Sequence, residues 1–169
     1  IIAVVAGLLL VGTRESATLN AILVVVKVIA LVIFVAVALP AFNAANLEPF
    51  SPYGFAKHMG PDGVERGVMA AAAIIFFAFY GFDAIATAAE ETKNPDRDLK
   101  IGIVGSMFVC VVIYIAVAVA AVGAIAYTRF ANSPEPLALI LRELGSPLAA
   151  QYLAVSAIIA LPTVILAFF

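Results

Sequence analysis

Residues 101–127 read IGIVGSMFVCVVIYIAVAVAAVGAIAY, an apolar run without a single charged side chain. A helix needs about 20 apolar residues to cross the roughly 30 Å hydrocarbon core of a bilayer. The run is long enough to do so, and only a helix or a closed barrel satisfies its own backbone hydrogen bonds in lipid. We therefore predict an all-α integral membrane protein.

The rest of the chain repeats this pattern of apolar runs separated by polar segments. The other predicted membrane segments are residues 1–11 (in part), 17–39, 67–90 and 147–169. Pro40 ends the second run, and we expect Pro162 to interrupt the last one. Since the chain begins and ends inside apolar runs, we expect it to be a piece of a longer protein, within a single transmembrane domain.

Three polar segments have a predictable local structure. Residues 12–16 suggest a short turn, and the loop 41–66 is rich in Pro, Asn, Gly and aromatic residues, which predicts irregular structure. A short amphipathic helix is predicted farther on. Ser133 suits its N-cap, Pro134 its first position and Gly145 its C-terminal stop.

Composition excludes several classes of protein. The chain of 169 residues is 65% hydrophobic and 12% charged, with a mean hydropathy of +1.17, which is too apolar for a soluble domain. The net charge of −2 gives no indication of nucleic-acid binding. The single cysteine, Cys110, has no partner for a disulfide, and we predict neither a metal site nor a cofactor. The single histidine, His58, is interpreted as a solvated loop residue.

Lys27 is an ionisable residue in the middle of a predicted span. It lies ten residues after Ala17, roughly 15 Å into the helix. A charge at this depth costs about 3 kcal/mol or more, so it suggests a function. A lysine that is charged in one state and neutral in another can couple proton movement to a conformational change. The alternative is a structural lysine that bonds a carbonyl or a hydroxyl.

Asp83 and Gly81 form the second unusual feature inside a span. Both belong to the aromatic segment FFAFYGFD, residues 76–83. Transporters commonly break helices at mid-membrane so that backbone groups face a substrate, and Gly81 is the weak point of this helix. The alternative is an intact helix in which Gly81 permits close packing and Asp83 is hydrogen-bonded to a neighbour.

These features favour a transporter over an enzyme. An intramembrane aspartyl protease needs two acids that share a proton, whereas Asp83 is the one acid well inside a span. A serine enzyme needs a base, and no span contains histidine. A non-transporting scaffold or a channel-like subunit is the remaining alternative.

Residues 76–98, FFAFYGFDAIATAAEETKNPDRD, closely resemble the sixth-helix signature of the cationic amino acid transporter family. This family belongs to the amino acid–polyamine–organocation superfamily. Residues 12–17, GTRESA, followed by Asn20 and Lys27, resemble the family's junction between its fourth and fifth helices. The resemblance covers nearly the whole chain and departs at Lys100, where relatives usually have proline.

The resemblance implies a leucine-transporter-type fold of two inverted five-helix repeats. The chain would cover the end of family helix 4 to helix 8. It implies a permease that moves amino acids with protons as coupling ion, in a bacterial-type cell membrane. The lipid bilayer and the missing helices of the full-length protein would be its partners, because family helix 1 holds the substrate carboxylate.

The resemblance also implies two groups of functional residues. In the broken family helix 6, the predicted substrate-binding residues are Phe77, Ala78, Tyr80 and Gly81, and we add Asp83 for its charge. Lys27 matches the helix 5 lysine that stands, in proton-coupled relatives, where sodium sits in sodium-coupled ones. Ser156 and Thr163 of family helix 8 are expected to face it.

Overall fold

The computed structural model describes residues 13–61, 63–76, 92 and 94–168, and these residues are mostly helical. The helices are α1 (Thr13–Ala38), α2 (Val68–Phe76), α3 (Pro95–Ala124), α4 (Tyr127–Phe130), α5 (Pro136–Glu143) and α6 (Pro147–Phe168). Among the described residues, two segments of helical structure are long and apolar enough to cross a bilayer, Asn20–Ala41 and Pro95–Ala124. The predicted run 1–11 lies outside the described residues, as does the part of 67–90 that follows Phe76.

The loop after α1 is more ordered than its composition predicted. It contains 3-10 turns at Leu39–Ala41 and Ala44–Leu47 and a small antiparallel hairpin of β1 (His58–Met59) and β2 (Glu65–Arg66). Reversal of the chain in the hairpin is helped by Gly63, whose φ of +75° is readily adopted by glycine. The prediction of irregular structure was therefore wrong at these short elements, while the rest of the described loop has no regular secondary structure.

Two helices begin earlier than the sequence predicted. α1 already includes Thr13, the first described residue, so residues 13–16 of the predicted turn at 12–16 are helical. α3 begins at Pro95, where the polar segment was expected to be a connection. Proline suits the first position of a helix, and Asp96 and Asp98 in the first turn interact favourably with the helix dipole. Lys100 continues this helix.

Prolines explain two further differences. α5 begins at Pro136, two residues later than predicted, because the residue before a proline is driven out of the helical region. Glu135 has φ −129° and ψ 62°, and Ser133 Oγ accepts a hydrogen bond from its N–H at 3.1 Å. Conversely, α6 runs through Pro162 without the predicted interruption. A proline costs such a helix one hydrogen bond, which helices in membranes tolerate.

By its internal contacts the chain divides into two compact units, Ile1–Asn46 with Val112–Phe169, and Leu47–Val111. In the first unit, α1 packs most extensively against α6, and α5 packs against both. The buried cluster is rich in small residues, which allow helices to approach closely. Its members are Phe34, Ala38, Ala120, Ala121, Ile125, Ala138, Ile140, Leu141 and Ala150.

The end of α3 is fastened within the same unit by the segment that follows α1. The carbonyl oxygen of Gly123 accepts hydrogen bonds from the backbone N–H of Asn43 at 2.9 Å and from Nδ2 of Asn46 at 2.8 Å. The last carbonyls of a helix have no partner inside it, so these bonds replace the missing ones. The ring of Phe42 lies against Gly123, in the space that a Cβ atom would need.

In the second unit, the hairpin loop caps the start of α2. The N–H groups of Val68 and Met69 donate to the carbonyl oxygens of Gly54 and Phe55, both at 3.1 Å. These bonds satisfy two of the donors that a helix N-terminus leaves unpaired. Gly67 adopts φ +105° at this junction, close to the carbonyl of Ala56.

Candidate functional site

Lys27 lies on the face of α1 that packs against the rest of the first unit. Ala30, Phe34 and Ala38 follow it on that face at helical spacing and are buried, at 2%, 0% and 0% exposure. Lys27 itself is half-buried. Its ammonium therefore extends from a face that contacts other helices, which offers polar partners that lipid lacks.

The other side of α1 is exposed and apolar. Ile22, Val25 and Val32 are 57%, 56% and 60% exposed. Lys27 is the one charged residue of α1 beyond its first turn, and it lies on the packed side of this division. It is 14 residues from Thr13 and 11 from Ala38, or about 21 Å and about 17 Å along the axis. Lys27 therefore lies near the middle of α1.

Ser156 lies on α6, the helix against which α1 packs most extensively. It is 5% exposed, and its hydroxyl donates a hydrogen bond of 2.8 Å to the carbonyl of Leu153, one turn earlier. With its proton engaged in this way, the Oγ atom presents its lone pairs as acceptors. Ala150, Leu153 and Ser156 share one face, and Ala150 belongs to the buried cluster. Ser156 is thus a buried acceptor on the packed face of α6.

Asn20 is a residue that the sequence analysis used only as part of a motif. Its Oδ1 atom is buried and, within the described part of the chain, has no hydrogen-bond partner. Asn20 precedes Lys27 by seven residues, which is about two helical turns, so both lie on one side of α1. A buried acceptor without a partner is costly, and a polar residue inside an apolar run was the signal that could have identified it.

The remaining predicted site residues fall outside the described residues. These are Phe77, Ala78, Tyr80, Gly81 and Asp83, together with the side chain of Thr163 on α6. The predicted break in the helix between Phe77 and Phe82 also lies there. Lys27 and Ser156 are therefore the two predicted residues that the structure places, and it places them on a pair of packed helices.

A cavity of about 270 Å³ lies between α1 and the second half of α3. Val28, Leu31 and Val35 of α1 line it together with Ile113 and Ala116 of α3, and none of the described side chains that line it is polar. A site for a charged or zwitterionic molecule needs a few well-placed polar groups. The described lining of this cavity therefore offers no group suited to bind an amino acid.

Comparison with known proteins gives a match over the whole chain. The family model described as "Amino acid permease" matches residues 1–169. A branched-chain amino acid permease of Bacillus subtilis, BcaP, is 38% identical over 166 residues, which is 98% of this chain and 34% of that protein. The chain spans about a third of the length of this relative.

Two further relatives match the chain at similar sequence identity. A methylthioribose transporter of Bacillus subtilis is 35% identical over 156 residues, 92% of this chain and 32% of its own length. The chloroplastic cationic amino acid transporter 9 of Arabidopsis thaliana is 33% identical over 155 residues, 92% of this chain and 25% of its own length. All three names are those of transporters and none is that of an enzyme.

Proposed function

This chain belongs to the amino acid permease family, and we propose that the permease containing it is a secondary active transporter that moves amino acids across a membrane with protons as coupling ion. The family and the apolar helices make the chain part of a helical integral membrane protein. We extend this to a leucine-transporter-type fold of two five-helix repeats, with residues 1–169 in a single transmembrane domain. We place the permease in a bacterial-type cell membrane.

One observation supports proton coupling above the others. A half-buried lysine, Lys27, stands in the middle of a long apolar helix and on the face that packs against neighbouring helices. A purely structural role would be served as well by a neutral polar residue, at lower desolvation cost. An amine can instead alternate between a charged and a neutral form, each of which favours a different arrangement of the helices.

Ser156 is proposed as a partner of the charged form. Its Oγ atom is buried on the helix that packs against α1, and its own proton is donated to Leu153. The oxygen is therefore set up as an acceptor for the three N–H donors of an ammonium. Thr163, two turns farther along α6, is proposed to contribute a second hydroxyl when Lys27 is charged.

Asn20 fits the same scheme. Its buried Oδ1 lies on the side of α1 that carries Lys27, two turns nearer the start of the helix. An acceptor at this position is suited to hold a water or a polar group between Lys27 and that end of the helix. A proton moving between Lys27 and one side of the membrane would pass along the water or polar group that Asn20 holds.

We propose that the substrate binds where the span that starts with α2 loses helical geometry. Phe77, Ala78, Tyr80 and Gly81 would line the site, with Asp83 as its charged group. Free backbone groups at such a break recognise the polar part of the substrate. The relatives are named for branched-chain amino acids, methylthioribose and cationic amino acids, so the substrate side chain varies among proteins that are similar over this region.

The proposal is tested with the full-length permease reconstituted in liposomes. Uptake of radiolabelled leucine, alanine and arginine is measured with and without an imposed inward proton gradient. We expect uptake of at least one amino acid to rise when the gradient is imposed. Uptake that is saturable but indifferent to the gradient would refute proton coupling and leave amino acid transport standing.

A further inference from the structure

An aliphatic groove runs along the line where α1 faces the second half of α3. The apolar cavity of about 270 Å³ is its inner part, and a second cavity of about 360 Å³ adjoins it. Val35, Val112 and Ala116 line both cavities, so the two are continuous, and we call them together the α1–α3 groove. Every described side chain that lines this groove is aliphatic, so it is suited to an apolar ligand.

Hydrogen bonds join α3 to the segment that follows α1 at one end of the groove. The carbonyl oxygen of Gly123 accepts them from the N–H of Asn43 and from Nδ2 of Asn46, so both helices end on the same side of the bilayer. Leu39 lines the groove near this end, and Val28 lines it at the other. Among the described residues, α1 and α3 make few close backbone contacts, which leaves the space between them open.

The length of the groove matches the thickness of one leaflet of the bilayer. Val28 and Leu39 are 11 residues apart, or about 16 Å along the helix axis. On α3, Val112 lies 12 residues before Ala124, or about 18 Å from the end of the helix. Half of the hydrocarbon core is about 15 Å thick. The groove therefore runs from the membrane surface, where the span Asn20–Ala41 ends, to about the middle of the bilayer.

Side-chain size distinguishes the groove from the packed contacts of the same unit. Where the helices pack, the buried residues include Ala38, Ala120 and Ala150, and small residues let helix backbones approach closely. The walls of the groove instead carry branched side chains such as Leu31 and Ile113. Lipid tails are as apolar as leucine, so a wall of this kind is compatible with lipid. The groove thus has the composition of a lipid-facing surface.

The edges of the groove continue onto the exposed faces of both helices. Val32 on α1 and Ile115 on α3 line it and are 60% and 59% exposed. A further helix is too wide for the space between them. A helix about 10 Å across occupies roughly 1,200 Å³ over about 16 Å of its length, several times the volume of either cavity. An acyl chain is one methylene group wide and fits without separating α1 from α3.

We propose that the α1–α3 groove holds one acyl chain of a membrane phospholipid, which enters at Leu39 and has its methyl end near Val28. The proposal rests on the membrane placement of α1 and α3, not on the proposed transport activity. A bound chain would brace the two helices below the point where Asn43 and Asn46 join them. Since Val28 directly follows Lys27, the chain would also support the middle of α1.

The test uses the full-length permease in liposomes of dioleoylphosphatidylcholine. These contain a trace of a photoactivatable phosphatidylcholine whose acyl chain carries a diazirine either near its carbonyl end or near its methyl end. After irradiation, the labelled residues are identified by mass spectrometry. We expect the first probe to label Leu39 and Val119, and the second to label Leu31 and Ile113, because these pairs lie at the shallow and deep ends of the groove.

Variants distinguish a chain inside the groove from lipid that surrounds the protein. Ala116→Phe fills the groove where its two cavities meet, so labelling of Leu31 by the deep probe should fall several-fold. Ala118→Phe adds the same side chain at an exposed position of α3 that lines neither cavity, and labelling should stay as in wild type. Val32→Phe, which narrows the groove from α1, should act as Ala116→Phe does.

Three results would overturn the proposal. Absence of label from Leu31 and Ile113 in the wild type, while exposed Val25 is labelled, would show that another part of the permease covers the groove. Equal labelling of all depths by both probes would show that no chain is ordered there. Labelling of Leu31 that persists in the Ala116→Phe variant would place the chain elsewhere. Uptake in a proton gradient is a separate measurement, so proton coupling stands or falls independently of these results.

Discussion

The side-chain amide of Asn46 donates a hydrogen bond of 2.8 Å to the carbonyl oxygen of Gly123, 77 residues later in the chain. The N–H of Asn43 donates to the same oxygen at 2.9 Å. The end of α3 is thereby joined to the segment that follows α1. Because this contact is partly buried and satisfies a carbonyl at a helix end, its removal should lower the stability of the whole unit.

Asn46→Ala should lower the stability of the full-length permease by about 1 kcal/mol, the usual contribution of one hydrogen bond of this kind. The measurement is thermal unfolding in detergent, followed by intrinsic fluorescence. Asn43→Ala is the matched control, since it keeps the backbone N–H and loses only an exposed bond to Ala45. Equal Tm values for the two variants would contradict a special role for Asn46.

Gly123→Ala should destabilise the permease by about 1–3 kcal/mol, because the added Cβ atom collides with the ring of Phe42. The double variant Gly123→Ala with Phe42→Leu should recover part of that loss. Gly105→Ala in the same helix has no atom of the chain within 4 Å of the new Cβ and serves as the control. A Gly105→Ala variant with the lower Tm of the two would refute this account.

Gly67→Ala should impair folding more severely than Gly123→Ala. Residue 67 has φ +105°, and a Cβ atom there would collide with the backbone carbonyl of Ala56, which cannot rotate away. Gly63→Asn is the control, since its φ of +75° suits asparagine and there is open space around it. The yield of monodisperse protein after purification distinguishes the two, and equal yields would count against the prediction.

Lys27→Ala should leave the permease inserted and folded but remove the dependence of uptake on a proton gradient. If Lys27 carries the coupled proton, as proposed, its removal leaves no group in the middle of α1 that takes up or releases a proton, so the gradient has nothing on which to act. Lys100→Ala, at an exposed position of α3, is the matched control. If uptake by the Lys27→Ala variant still rises with the imposed gradient as in wild type, Lys27 is structural and another group carries the proton.

Gly81→Leu should abolish uptake without preventing insertion into the membrane. The prediction follows from the expected loss of helical geometry near Gly81, where a bulky side chain would enter the substrate site. Radiolabelled uptake is compared with the amount of protein in the membrane fraction. Normal uptake at a normal protein level would show that this glycine serves packing and that substrate binds elsewhere.

The sequence located the apolar helices because their length is set by the bilayer, yet several boundaries needed the structure. α3 includes residues 95–100, whose charges had suggested a connection. α5 starts at Pro136 because the residue before a proline is disfavoured in helical geometry. The sequence analysis had instead placed the start at Pro134, with Ser133 as the N-cap. The hairpin at His58 and Arg66 depends on pairing across a loop, which composition does not reveal.

By itself, the sequence determined that this is an integral membrane protein, since a charge-free run such as 101–127 has no stable place in water, and the resemblance of residues 76–98 to a transporter signature indicated the permease family. It also marked Lys27, because a charge in such a run is costly. Only the tertiary structure decided that Lys27 shares the packed face of α1 with Phe34, and that Asn46 meets Gly123. The reason is physical: a helix that is apolar on all sides has no hydrophobic face to distinguish, so its packed side is set by its neighbours.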